Sequence, residues 1–170
     1  MPVSAANADL LQRFGVHALT PQQTLDDVAT FWTDLTHLKD VLRFARTEAN
    51  PRYRMLFDLT AIDERLRRHR DTQPASDFTV VYHLMALERG AALRLKVPLH
   101  GELPQIPTAT DLWPNADWYE REVWDFFGIT FIGHPRLRRI LRSTIGCSCA
   151  RSSGSQTSIA TISSTRSIAA

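Results

Sequence analysis

Two strand-forming segments, Phe78–Leu87 (FTVVYHLMAL) and Ala92–Leu99 (ALRLKVPL), are separated by only Glu88-Arg89-Gly90-Ala91. So short a link containing glycine joins such runs as an antiparallel hairpin. The other elements are read around this pair. Tyr53–Ile62 (YRMLFDLTAI) reads as a buried strand that precedes it, and Val28–Thr33 (VATFWT) as an earlier, weakly alternating one. Ala5–Phe14 has the pattern of a short amphipathic helix stopped by Gly15, after which Val16–Leu19 is a candidate strand. Asp34 or Thr36 can cap a second helix running to about Glu48, with Leu35, Leu38, Val41, Leu42 and Ala45 as its apolar stripe and Asn50-Pro51 ending it. Pro98, Pro104, Pro107 and Pro114 mark a loop, broken by a short helix at Thr108–Trp113. A third helix runs from Asn115 or Asp117 to Phe127, stops at Gly128 and leads to a strand at Ile129–Ile132.

This element order, without strict βα alternation, predicts an α+β fold. It is a two-layer α/β sandwich with helices on one face of a mostly antiparallel or mixed sheet. A chain of 170 residues gives one such domain. The composition breaks at Leu141: residues 142–170 hold nine Ser, four Thr, three Arg and no acid. The domain is therefore predicted to span 1–141. Residues 142–170 are expected to be a disordered Ser/Thr-rich tail, either a natural extension or sequence altered by a frame change or truncation.

The charge balance excludes several classes of function. Residues 1–141 carry 17 basic and 18 acidic side chains, a net charge of −1, obtained by removing the three tail arginines from the 20 Lys and Arg of the chain. A neutral body argues against a nucleic-acid partner, which needs a concentrated positive face. The Arg-rich run Arg65–Arg70 is flanked by acids and reads as a solvated or partner-facing segment. Both cysteines, Cys147 and Cys149, lie beyond the break, so the body offers no thiolate to zinc or an iron–sulfur cluster. No apolar run approaches the 18 residues of a membrane span, and MPVSAANADL lacks a signal peptide's basic and apolar regions. A cytoplasmic location is the expectation.

Neither GxGxxG nor GxxxxGK[ST] occurs, and the six His residues form no HExxH-like pair. GxSxG is also absent. Glu122 and Asp125 can share a helix face, and Arg121 and Asp125 stand at i,i+4. That pattern reads as a salt-bridged helix rather than a general acid–base pair. The remaining concentration is aromatic: three of the four Trp lie in Leu112–Gly128, spread around the third helix. A helix with aromatics on most of its circumference needs cover on several sides, and Trp, Tyr and Arg dominate protein–protein contacts. Composition thus favours an interaction subunit.

The run WYEREVWDFFGITFIGHPRLRRIL, Trp118–Leu141, resembles the signature of the C subunit of the proton-pumping NADH:quinone oxidoreductases, respiratory complex I. The family pattern is E-R-E-x-x-D-x-F-G-I-x-F-x-G-H-P-x-L-R-R-I-L. It is matched by Glu120, Arg121, Glu122, Asp125, Phe127, Gly128, Ile129, Phe131, Gly133, His134, Pro135, Leu137, Arg138, Arg139, Ile140 and Leu141. Met55–Arg68 and the Pro-rich stretch are also similar, above all to the bacterial form in which the C subunit is fused to the D subunit, the one holding the quinone site. From Arg142 onward nothing matches the family's continuation.

The resemblance implies a subunit without catalytic residues or cofactors of its own, flavin (FMN) and iron–sulfur clusters residing in partner subunits. It implies a peripheral position on the cytoplasmic side of the bacterial inner membrane, beside the quinone-site (D) and iron–sulfur subunits, with no membrane span. Within that frame Glu120, Arg121, Glu122 and Asp125 orient the helix through salt bridges. Gly128 stops it, and Gly133-His134-Pro135 turns the chain so that Arg136, Arg138 and Arg139 meet a partner. Trp118, Trp124 and Phe127 complete the expected interface. Two other readings are the equivalent subunit of a membrane-bound nickel–iron hydrogenase and a small nucleic-acid-binding module.

Overall fold

The computed structural model describes residues 8–26, 28–67 and 73–140. The expected tail, 142–170, lies outside them, as do Leu141, residues 5–7 of the first helix and 68–70 of the Arg-rich run. The element order is α1 (Ala8–Ala18), β1 (Thr20–Gln22), β2 (Ala29–Trp32), α2 (Leu35–Thr47), β3 (Met55–Asp63), β4 (Phe78–Ala86), β5 (Ala91–Leu99), β6 (Gln105–Pro107), α3 (Ala116–Phe127) and β7 (Thr130–Ile132).

The hairpin is β4–β5, turned by Leu87–Arg89 and by Gly90 at φ 59°. It lies inside a five-stranded sheet ordered β1-β2-β5-β4-β3, in which only the β2–β5 pair is parallel. The fold is therefore α+β with a mixed sheet, as expected. Register places Leu59, Tyr82 and Leu95 side by side on one face and Ala61, Val80 and Val97 beside them. All six are buried. Each large apolar side chain removed from water there contributes about 1.5–3 kcal/mol.

The helices supply the covering layer. Asp34 caps α2 by accepting the His37 N–H at 2.8 Å, and Leu38, Val41, Leu42 and Ala45 form its buried stripe. Leu35, expected on that stripe, is 41% exposed because it sits in the first turn at the rim. Phe14 of α1 meets Phe44 of α2 edge to face at 5.5 Å.

Several expectations fail where a distant partner or a special backbone position decides. Gly15, at φ 71° and ψ 174°, breaks the helical path where the sequence put the stop, but the chain resumes a helical turn over 16–18, so no strand spans Val16–Leu19. The Pro-rich loop contains β6, whose parallel partner β7 follows only after α3. Thr108–Trp113 makes a single turn, with the Leu112 and Trp113 N–H groups both donating to the Ala109 carbonyl. Pro98 belongs to β5, tolerated because β2 ends opposite Lys96 and leaves that flank of Pro98 unpaired. β3 is not buried throughout: it is an edge strand with Met55 and Phe57 exposed, and its register shifts between Leu56 and Asp58.

That edge is covered by α3 and its approach. Trp113 Nε1 donates to the Arg54 carbonyl at 3.1 Å, Asn115 Nδ2 to Leu56 at 2.8 Å and the Tyr119 hydroxyl to Phe57 at 3.0 Å. These bonds occupy backbone acceptors that an open edge would offer to another strand.

Candidate interaction surface

The signature residues form one continuous piece of structure: α3, β7 and the segment that returns along α3. Glycine permits both reversals. Gly128 takes the left-handed conformation at φ 71° and donates to the Trp124 carbonyl at 2.9 Å, and Gly133 has φ 83°. The His134 N–H then donates to the Phe131 carbonyl at 3.3 Å, closing the expected turn.

Glu120 does not face outward. It is fully buried, accepting the Thr108 hydroxyl at 2.5 Å and the Ala109 N–H at 2.6 Å. Burial raises its pKa to about 7 against the opposing pull of those two hydrogen bonds. The same carboxylate, after burial itself, pushes the fully buried Tyr82 hydroxyl upward. Lys39 binds the Thr108 carbonyl and the Asp111 carboxylate, so this turn links α2 to α3. Glu120 is thus an internal strut rather than an interface residue. Its position was readable, because Ala116, Glu120 and Val123 lie on one helical face and are the buried residues of α3.

His134 is also internal. Its side chain is wholly covered; Nδ1 accepts the Arg136 N–H at 3.0 Å, which leaves Nε2–H to donate to the Asp117 carbonyl at 3.2 Å. Arg121 Nε donates to the Arg138 carbonyl at 2.9 Å, and its guanidinium lies 3.9 Å from Asp117 and 5.5 Å from the Trp118 ring centre. The spacing pointed Arg121 at Asp125; the return of the chain along α3 instead gives it Asp117, while Asp125 accepts the Ile140 N–H at 2.6 Å. Asp117 and Thr108 were not singled out in the sequence, since neither belongs to the signature and both act through chain reversals.

What remains outward is aromatic and basic. Trp118 is 55% exposed and Phe126 48%, and Ile132 of β7 is exposed with them. Glu122, Gly133, Pro135, Arg136, Arg138 and Arg139 are exposed or partly so, and Trp124, Phe127 and Gly128 are half-buried. Arg139 lies 5.9 Å from the Trp124 ring centre. Among the described residues no three His, Cys, Asp or Glu side chains converge as a metal site. No described helix is long and apolar enough to cross a membrane.

Residues 31–145 match the family model of the respiratory-chain NADH dehydrogenase 30 Kd subunit. Over 140 residues the chain is 54% identical to the NADH-quinone oxidoreductase C/D subunit of Psychrobacter cryohalolentis, covering 82% of this chain and 23% of that protein. It is 51% identical over 143 residues to the C/D subunit of Acinetobacter baumannii, covering 84% and 24%. The chain thus spans about a quarter of the length of these relatives. Among solved structures it is similar to the trypsin-resistant fragment of Nqo5, with a TM-score of 0.65 and 27% identity over 76% of this chain and 98% of that one. A chain of the membrane-bound sulfane sulfur reductase, an archaeal respiratory membrane complex, shares the fold at a TM-score of 0.59 and 24% identity, covering 75% and 68%.

Proposed function

This chain belongs to the 30 kDa subunit family of the respiratory-chain NADH dehydrogenases, and from that premise we propose that it is a non-catalytic docking subunit in the peripheral arm of a proton-pumping NADH:quinone oxidoreductase. One observation carries the reading. The polar groups of the signature best suited to chemistry, Glu120 and His134, are consumed by internal hydrogen bonds, while Trp118, Phe126, Arg136, Arg138 and Arg139 stay outward. The acid and the imidazole shape the surface; the aromatics and guanidiniums are what it presents. Exposed aromatic and Arg side chains become binding hot spots when a partner excludes water from them.

In this reading the partners are the quinone-site subunit and the iron–sulfur subunits, and FMN and the clusters belong to those neighbours. Electrons pass from NADH to quinone beside this chain rather than through it. The assembly lies on the cytoplasmic side of the bacterial inner membrane. The nickel–iron hydrogenase reading is less favoured because the curated relatives at 51–54% identity carry the NADH-quinone oxidoreductase name.

The test replaces the matching segment of a bacterial C/D subunit by residues 1–141 of this chain and measures NADH:quinone reductase activity in membranes. Retained activity, with no flavin or cluster absorbance and no NADH oxidation by the purified chain alone, is expected. NADH-dependent quinone reduction by the purified chain would overturn the docking role. So would loss of membrane activity while the chimaera is present and folded.

A further inference from the structure

A second surface lies where β3 begins and β4 ends, lined by none of the signature residues. Met55 and Met85 are cross-strand partners there, and with Leu87 and Trp113 they form the apolar floor of a groove of about 500 Å³. Met55 is 38% and Leu87 69% exposed. Three arginines, Arg46, Arg52 and Arg54, stand around this floor against one carboxylate, Glu88.

Glu88 lies 3.5 Å from Arg54. Arg46 sits 5.9 Å from the Trp113 ring centre, which holds its guanidinium beside the groove. Among the described residues neither Arg46 nor Arg52 has a carboxylate within ion-pair distance. The groove therefore combines an adaptable thioether floor with two guanidiniums that no carboxylate among the described residues pairs, Glu48 lining only the adjoining hollow beside Arg52. Unbranched Met side chains adjust to varied apolar shapes, and guanidinium forks match carboxylates in paired hydrogen bonds.

We propose that this groove docks an acidic amphipathic segment of another polypeptide, one that places large apolar side chains on Met55, Met85 and Leu87 and carboxylates on Arg46 and Arg52. The argument is charge complementarity: an apolar occupant alone would leave two guanidiniums unpaired at its edge, and a basic one would be repelled. The site is separate from the α3 surface and adds a second contact to the docking role, on which its place in a respiratory assembly rests.

The experiment places the photo-crosslinker p-benzoylphenylalanine at Leu87, and in a parallel strain at Phe126, in cells producing the chimaeric C/D subunit described above. Cross-linked peptides are identified by mass spectrometry. The Leu87 probe is expected to reach one segment of another chain carrying at least two Asp or Glu residues beside apolar ones. Arg52→Glu is expected to cut that cross-link about tenfold or more with an unchanged melt of the purified chain, and Lys substitutions at the partner's acids to restore it. Cross-links confined to the chimaera, its fused quinone-site part included, to a second copy, to lipid or to a segment without acids would overturn the proposal, as would no cross-link or one indifferent to Arg52→Glu. The Phe126 probe separates the two claims: respiratory-subunit adducts at Phe126 with none at Leu87 refute the groove alone, and their absence at Phe126 refutes the docking surface.

Discussion

Glu120→Gln should remove a specific pH dependence from the stability of the domain. Burial raises the Glu120 pKa from 4.5 to about 7, despite the hydrogen bonds from Thr108 and Ala109. A raised folded value means that the native state holds the proton more tightly than the unfolded chain. The associated stability is complete below 4.5 and is lost as pH rises through 7. Between pH 5 and 8 the linkage relation gives a loss of roughly 2–3 kcal/mol from this one group. Gln reproduces the shape of the protonated acid: its oxygen can accept the Ala109 N–H, and its amide can donate to Thr108, whose hydroxyl also has Thr110 at 2.9 Å. Gln has no proton to lose, so it should show none of this slope.

The assay is urea unfolding of both proteins at pH 5, 6, 7 and 8, reading the difference between them so that other titrating groups cancel. The variant should gain on the wild type by roughly 2–3 kcal/mol across that range. A difference that stays flat would refute the burial argument. One that moves the other way would mean that the two donors outweigh desolvation and hold the carboxylate ionised in the fold.

Three further outcomes follow from single residues. Gly128→Ala should cost about 1–2 kcal/mol in urea melts, because a Cβ at φ 71° is strained although nothing lies within 4 Å of it. Asp34→Ala should cost about 1 kcal/mol at pH 7 through loss of the α2 cap. Slight burial raises the Asp34 pKa, but the His37 N–H and ring outweigh it, and the net value is lowered. The capping contribution is therefore present above 3.8 and fades as pH falls through the lowered value, and so should the difference between Asp34→Ala and wild type. Asn115→Ala should cost about 0.5–1.5 kcal/mol, since it leaves the Leu56 carbonyl at the covered edge of β3 without its 2.8 Å donor.

Local pattern was enough wherever an element is determined by its own residues. The β4–β5 hairpin, α2 with its Asp34 cap and α3 with its Gly128 stop all lie where spacing and turn chemistry put them. Pairings between distant segments were not legible: β6 reads as a proline-rich loop because its hydrogen-bond partner lies beyond α3. The same holds at the surface. The signature was visible as a string of charges and aromatics, but which of them turn inward depends on how β7 and residues 133–140 fold back. That return claims His134 for Asp117 and Arg121 for the Arg138 carbonyl. Glu120 is the instructive case. Read as a salt-bridging interface residue, it is buried, and both of its donors, Thr108 and Ala109, come from the turn expected at Thr108–Trp113, which nothing in the spacing pairs with α3.

The central claim, that the outward half of the signature exists for a partner, is tested by Arg138→Glu with Arg139→Glu. Within the domain these side chains do little: Arg138 holds Arg121 through its backbone carbonyl, which the substitution keeps, and the exposed Arg139–Trp124 contact is worth about 0.5–1 kcal/mol. Against a partner's carboxylates, the same guanidiniums can be worth about 2–5 kcal/mol when their complement is left unpaired. Thermal melts of the purified double variant should therefore stay close to wild type, while its co-purification with the quinone-site and iron–sulfur subunits falls by tenfold or more. A large drop in melting temperature with normal co-purification would contradict the account, placing these arginines within the fold and leaving the surface without a partner.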